Sequence, residues 1–192
     1  FFVKLIFLFL SFFILLTIFN NDLIGILSLL LVFLFFFILS IIYNSFAPIL
    51  LSAILIRIFV IHLGAAYNLP DSSPDALFVE LQAYEWSKNG FFGAIKHFPG
   101  PRFNFISWLI AIPYSLFGRS LLLAQSMSLF FGMSSIFLSC ILLKKISGLQ
   151  TAKIIGWILA LFPSLVLYSV LTLREVYAVF FLLIALFGIL HW

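Results

Sequence analysis

Charge is scarce in this chain, and the places where it occurs are the places where chemistry could happen. Asp71, Asp75, Glu80 and Glu85 lie in one polar stretch and Glu175 about a hundred residues later, so two loop regions hold five of the six acids. Acids set so sparingly beside hydrocarbon suggest chemistry at a membrane surface, because a carboxylate is costly to keep there without use. Glu175 directly follows Arg174 and has two readings: an ion pair marking a tight turn at the water interface, or a carboxylate that helps bind a metal–phosphate group or position an acceptor. Asp75 also has a plain reading, since Ser72 and Asp75 fit an S-x-x-D capping box in which the acid complements the helix dipole. Asp71 reads as a turn residue before Ser-Ser-Pro. Glu80 and Glu85 read as the solvated face of a helix, with Glu85 and Lys88 an i,i+3 pair of little energetic weight. Arg57 falls midway along an apolar segment, with His62 just beyond it. A guanidinium there needs a partner, either a lipid phosphate or an acid elsewhere in the chain.

Several reaction classes are excluded by pattern. His62, His97 and His191 are too dispersed for a zinc site by spacing, and there is no P-loop, dinucleotide fingerprint, nucleophile elbow or CxxC. The net charge of +4 is scattered rather than clustered, which excludes nucleic acid as a partner. Cys140 stands alone within an apolar run and forms no intrachain disulfide.

The elements that must position these residues are membrane spans. The chain is 65% hydrophobic and 8% charged, with 27 Phe in 192 residues, and lacks the polar surface a soluble domain requires. Crossing ~30 Å of hydrocarbon takes ~20 apolar residues. Phe1–Phe19, Leu23–Tyr43, Phe46–Ala66, Leu121–Leu143, Ile154–Leu171 and Val176–Trp192 are the expected spans. Phe1–Phe19 lacks the small-residue cleavage site of a signal peptide. The chain starts without Met and stops within an apolar run, so we expect a piece of a longer polytopic protein, inactive alone. Lys144, Lys145 and Lys153 flank one short connection without an acid, which places it in the cytoplasm. Lys4 joins them inside, and all six acids then face outside. The two halves agree if Phe103–Gly118 does not cross: its sixteen residues cover only ~24 Å of helix and contain Pro113. We read it as interfacial, with Trp108 and Tyr114 suited to the headgroup zone, a true span being the competing reading.

Between them lies the outer loop 67–102. Leu77, Leu81 and Tyr84, and likewise Val79, Ala83 and Trp86, recur at helical spacing, predicting an amphipathic helix that ends at Asn89-Gly90 and lies along the membrane surface. A Pro/Gly-rich stretch, His97 to Arg102, leads on to the Pro113 helix. The expected fold class is an all-α polytopic transmembrane helix bundle with amphipathic interfacial helices in the first large outer loop. Its expected parts are an N-terminal transmembrane hairpin, 1–45, and a core, 46–192.

The order of these motifs carries a resemblance. An outer loop opens with Leu69-Pro70-Asp71-Ser72-Ser73-Pro74-Asp75, and a short helix closes in Leu116-Phe117-Gly118-Arg119-Ser120. One span ends in Leu142-Leu143-Lys144-Lys145-Ile146-Ser147-Gly148, and the next runs from Gly156-Trp157 through Phe162-Pro163 to Leu173-Arg174-Glu175. Over roughly Ala65–Leu190 this order resembles the N-terminal half of the GT-C superfamily of polytopic glycosyltransferases, such as protein O-mannosyltransferases and the aminoarabinose lipid A transferase. The resemblance implies an inverting transfer of a sugar from a polyprenyl-phosphate-linked donor to a lipid, glycan or protein acceptor. It would take place among membrane lipids at the outer face of a bacterial or archaeal plasma membrane. It implies a general base or acceptor-orienting acid at Asp75, with Asp71 the alternative, and a second acid at Glu175. Lys96, His97, Arg102 and Arg174 become candidates to meet the leaving lipid phosphate, alongside Arg57. The chain departs from the pattern in lacking an adjacent acidic pair in the first loop, which leaves a divalent cation as an open requirement, and in carrying two extra spans before the usual first one. The alternatives from other classes are a transporter or lipid flippase with Arg57 and His62 lining a pathway, and a non-catalytic membrane subunit.

Overall fold

The computed structural model describes residues 22–67, 73–100, 102 and 104–192. The expected span Phe1–Phe19, Lys4, Asp71 and Ser72 lie outside them. Among the described residues every regular element is helical: α1 (Leu23–Ile42), a 3-10 turn (Asn44–Phe46), α2 (Ala47–Tyr67), α3 (Ser73–Ser87), α4 (Gly90–Lys96), α5 (Phe105–Phe117), α6 (Leu121–Leu161), α7 (Pro163–Tyr168) and α8 (Arg174–His191). Three described stretches are long and apolar enough to cross a membrane: Leu23–Ile42, Asn44–Ala65 and Leu121–Leu161. Their outward faces leave Leu31, Ile42 and Ile158 exposed, surface that suits lipid tails better than water.

Two capping residues set α1 and α6 level. Asp22 accepts the Gly25 N–H at 2.9 Å, Ser120 accepts the Leu123 N–H at 3.0 Å, and the Ser120 hydroxyl donates to the other Asp22 oxygen at 2.6 Å. Each cap satisfies a backbone donor that its helix leaves orphaned, and their mutual bond joins the two helix starts. Below them α1, α2 and α6 share a core of Leu29, Phe36, Phe46, Leu50, Leu129 and Met133. A second core, with Val79, Ala83, Ile110, Ala111 and Tyr177, joins α3, α5, α6 and α8.

Helix α6 is two arms, 121–147 and 149–161, hinged at Gly148, whose φ of 84° is one that L side chains resist. The arms fold back on one another: Cys140 Sγ lies 3.9 Å from the Ala152 carbonyl, whereas twelve residues of continuous helix would separate them by ~18 Å. Close approach needs Gly156, because a Cβ there would sit 2.7 Å from Cys140 Sγ. The reversal falls within the connection expected between Lys144 and Lys153.

The expected span Ile154–Leu171 is corrected. It is broken at Phe162-Pro163, where Phe162 is extended (φ −63°, ψ 118°), as a residue before proline prefers, and Pro163 starts the short α7. The second arm therefore stops beside the middle of α2, and the chain turns through 169–173 before α8 begins. Helix α8 then runs parallel to the first arm of α6, from Tyr177 within 3.0 Å of the Ser128 hydroxyl to the Leu190 carbonyl, which accepts from Lys145 at 3.4 Å.

Two ends result. Asp22, Glu80, Arg119, Ser120 and the 172–175 turn gather at one, and the 43–47 turn, the Gly148 bend and Leu190 at the other.

Candidate functional site

Several hydrogen bonds between remote segments assemble the acidic end, and one of them joins the helix starts that carry Asp75 and Glu175. Thr172 donates its hydroxyl to the Ala76 carbonyl at 2.8 Å, tying the turn before α8 to the first turn of α3. Asp75 is the neighbour of Ala76, and Glu175 stands in the first turn of α8 three residues past Thr172. The two acids thus belong to helix starts that meet at the same end, and both are exposed. Glu175 accepts from Arg174 Nε at 3.4 Å, with about half of each side chain exposed, which makes a weak pair held by its surroundings rather than a lock.

The first turn of α8 stands between two spaces. On one side Arg174 and Arg102 border an open groove walled by Phe98, Phe105, Tyr177 and Phe181, with about 1060 Å³ of empty volume. On the other, Glu175, Val176 and Val179 face a smaller hollow of about 470 Å³ that reaches inward past Ser135, Ser139 and Ser169 to Arg57. Successive residues of a helix point about 100° apart, so an Arg-Glu pair at a helix start can serve two spaces at once. The groove brings cationic groups and aromatic faces together, a combination that suits an anionic head with an apolar tail.

Arg57 is fully buried, and its guanidinium is committed to the protein. Nε donates to Ser169 Oγ at 2.7 Å, and Nη1 donates to the carbonyls of Ala53 at 3.1 Å and Ala160 at 2.9 Å. Nη2 donates to the Leu159 carbonyl at 3.5 Å. The Pro163 break leaves the last carbonyls of the second arm without helical donors, and Arg57 supplies them where the helix dipole is negative. Its partners are therefore neither an acid nor a lipid phosphate. His97, at the C-terminal end of α4, stacks on Trp86 with centroids 5.8 Å apart and comes within 3.0 Å of Asn89 Nδ2, which packs it back against the turn between α3 and α4. Lys96 is exposed in the last turn of α4, where a cation complements the dipole.

Glu80 overturns its expected place on the solvated face. It is 1% exposed and accepts from Arg119 Nε at 2.9 Å and Nη2 at 2.8 Å, a bidentate pair. The buried Tyr114 hydroxyl lies 3.1 Å from the same carboxylate and 2.8 Å from the Ser120 carbonyl. Its burial, and then the Glu80 charge, push the Tyr114 phenol pKa up, and the Glu80 hydrogen bonds raise that of Arg119. Of the two apolar rows expected on α3, Val79 and Ala83 are buried with Ala76, while Leu77 and Leu81 remain exposed. Glu80 falls inside the buried row, and the small Ala76 and Ala83 around it were the available signal. Glu85 and Lys88 pair on the surface at 2.6 Å, as their spacing predicts. Among the described residues no three His, Cys, Asp or Glu side chains gather in a group that could hold a metal ion. No protein-family model, curated protein or solved structure matches the chain.

Proposed function

We propose that this chain is part of a membrane glycosyltransferase of the GT-C kind, moving a sugar from a polyprenyl-phosphate-linked donor to an acceptor hydroxyl at the outer face of a plasma membrane. The observation that carries the reading is the bond from Thr172 to the Ala76 carbonyl, which draws the helix starts bearing Asp75 and Glu175 to one end. In this reading α1, α2, α6 and α8 belong to a polytopic bundle, α3 to α5 lie at the interface, and the lysine-bearing bend at Gly148 faces the cytoplasm.

The chemistry follows from the two spaces. The donor phosphate sits in the groove against Arg174 and Arg102, with its prenyl chain along Phe105 and Phe181. Asp75 takes the proton of the acceptor hydroxyl as its oxygen bonds to the anomeric carbon. The bond from that carbon to the phosphate oxygen breaks, and the charge returned to the phosphate is met by the two guanidiniums. Glu175 stays only loosely paired with Arg174 and lines the hollow on the acceptor side with its carboxylate.

An Asp75→Asn variant of the intact protein tests the assignment. Removal of a general base should lower glycolipid synthesis by about 10²–10⁴-fold, with membrane insertion unchanged. Full product from that variant would remove Asp75 from the site.

A further inference from the structure

The end opposite the acids carries a site that the transfer chemistry does not use. Lys144, Lys145 and Lys153 all lie within about one and a half helical turns of Gly148. The contact between Cys140 and Ala152 folds the two arms so that these lysines flank a single bend. The described acids, Asp22, Asp75, Glu80, Glu85 and Glu175, belong to the other end. Like charges so close raise a local positive potential, which an anion lowers.

The surface beside the lysines specifies what kind of anion. Immediately after Lys153 the second arm exposes Ile154, Trp157, Ile158 and Leu161, spaced i, i+3, i+4 and i+7 along one face. The stripe begins at the cationic bend and runs toward the middle of the bundle, where the arm stops at the Pro163 break. Exposed Ile146 and Leu149 flank the bend itself. A soluble anion would leave this stripe bare. An acidic peptide would cover the lysines but gain nothing from an apolar track that heads into the hydrocarbon layer. A phospholipid fits both parts, its phosphate among the lysines and a chain on the stripe.

We propose that the Gly148 bend is a binding site for an anionic phospholipid, with its phosphodiester held by Lys144, Lys145 and Lys153 and an acyl chain laid along Ile154, Trp157, Ile158 and Leu161. Lys145 also reaches the Leu190 carbonyl at 3.4 Å, so the headgroup site touches the end of α8 and a bound lipid bridges the two elements. The site does not depend on the transferase reading.

The test is lipid retention. The intact protein is reconstituted in phosphatidylcholine vesicles containing a minor fraction of phosphatidylglycerol, extracted gently, and its co-extracted lipid counted by mass spectrometry. Phosphatidylglycerol should be enriched over its share in the vesicle. Enrichment should fall by about fivefold for each of Lys144→Gln, Lys145→Gln and Lys153→Gln, and the three corresponding Arg replacements should retain it. A double Ile154→Ser, Ile158→Ser variant, with all lysines in place, should also lose retention, which a site for a soluble anion would not. High salt should erase the enrichment in the unaltered protein, so the idea stays testable even if the glutamine variants fail to insert. Equal enrichment with and without the lysines, displacement by inorganic phosphate alone, or an acidic protein occupying the bend in place of lipid would each overturn the proposal.

Discussion

Arg57 and Arg174 bring the same guanidinium into opposite circumstances. Arg57 is enclosed, and its donors meet a serine hydroxyl and three carbonyls. Arg174 leaves about half its side chain exposed beside a groove and makes a loose 3.4 Å contact with its own neighbour. Arg119 resembles Arg57 in function though not in depth, since Glu80 meets it with both oxygens. A cation that completes a backbone or a bidentate pair belongs to the architecture. One kept at the edge of an open, aromatic-walled space can act on something that arrives.

The sharpest way to break this contrast is to compare losses of activity and of stability. Arg174→Gln should reduce glycolipid synthesis at least tenfold, since a cation facing the leaving phosphate is removed. It should shift unfolding by no more than about 0.5 kcal/mol, as for other exposed pairs. Thermal denaturation in detergent beside a product assay reads both, and a destabilised Arg174→Gln would erase the distinction. Arg57→Leu should behave in reverse, with a stability loss of about 3 kcal/mol, because the Ala160 and Leu159 carbonyls and the Ser169 hydroxyl lose their donor inside the bundle. Lysine at position 57 should recover only part of that loss, lacking the fork that reaches both sides of the Pro163 break. Glu80→Gln should cost about 2 kcal/mol, an intermediate value because Glu80 is enclosed while Arg119 still reaches water. The smallest effect belongs to Lys88→Ala, with no resolvable change in thermal denaturation and no consequence for product, since its pair with Glu85 is exposed. A large loss there would mean that exposure is a poor guide to which charges matter in this molecule.

Much of the helical frame was legible from hydropathy. Leu23–Ile42 and Ala47–Tyr67 match expected spans within one residue at each end, because a long apolar run bounded by Asp22, Asn44 and Tyr67 permits little else. Hydropathy is blind, however, to a break between two apolar halves. Phe162-Pro163 interrupts the expected Ile154–Leu171 segment within a run that stays apolar on average, and Pro163 is accommodated as the first residue of the next helix. Helical periodicity predicted two apolar rows on α3 but could not choose between them, and the choice decides whether Glu80 meets solvent or Arg119. Arg57 was identifiable as needing a partner. Its actual partners, Ala160 and Ser169, are 103 and 112 residues away, beyond any local pattern. Of the acids nominated for chemistry, Asp75 and Glu175 lie on helix starts tied through Thr172, a polar residue that sequence reasoning passed over.

The Pro163 break also has a consequence for biogenesis. Arg57 leaves the ribosome about a hundred residues before Leu159, Ala160 and Ser169, the partners it finds outside its own helix, an interval of roughly 5–20 s at ordinary elongation rates. During that time the guanidinium in α2 has only the Ala53 carbonyl of its own helix to meet it, where an Arg within hydrocarbon costs at least ~2.5 kcal/mol. The packing of α2 around Arg57 is therefore complete only once the second arm and Ser169 have been made, so the early half of the chain reaches its final form after the late half is synthesised.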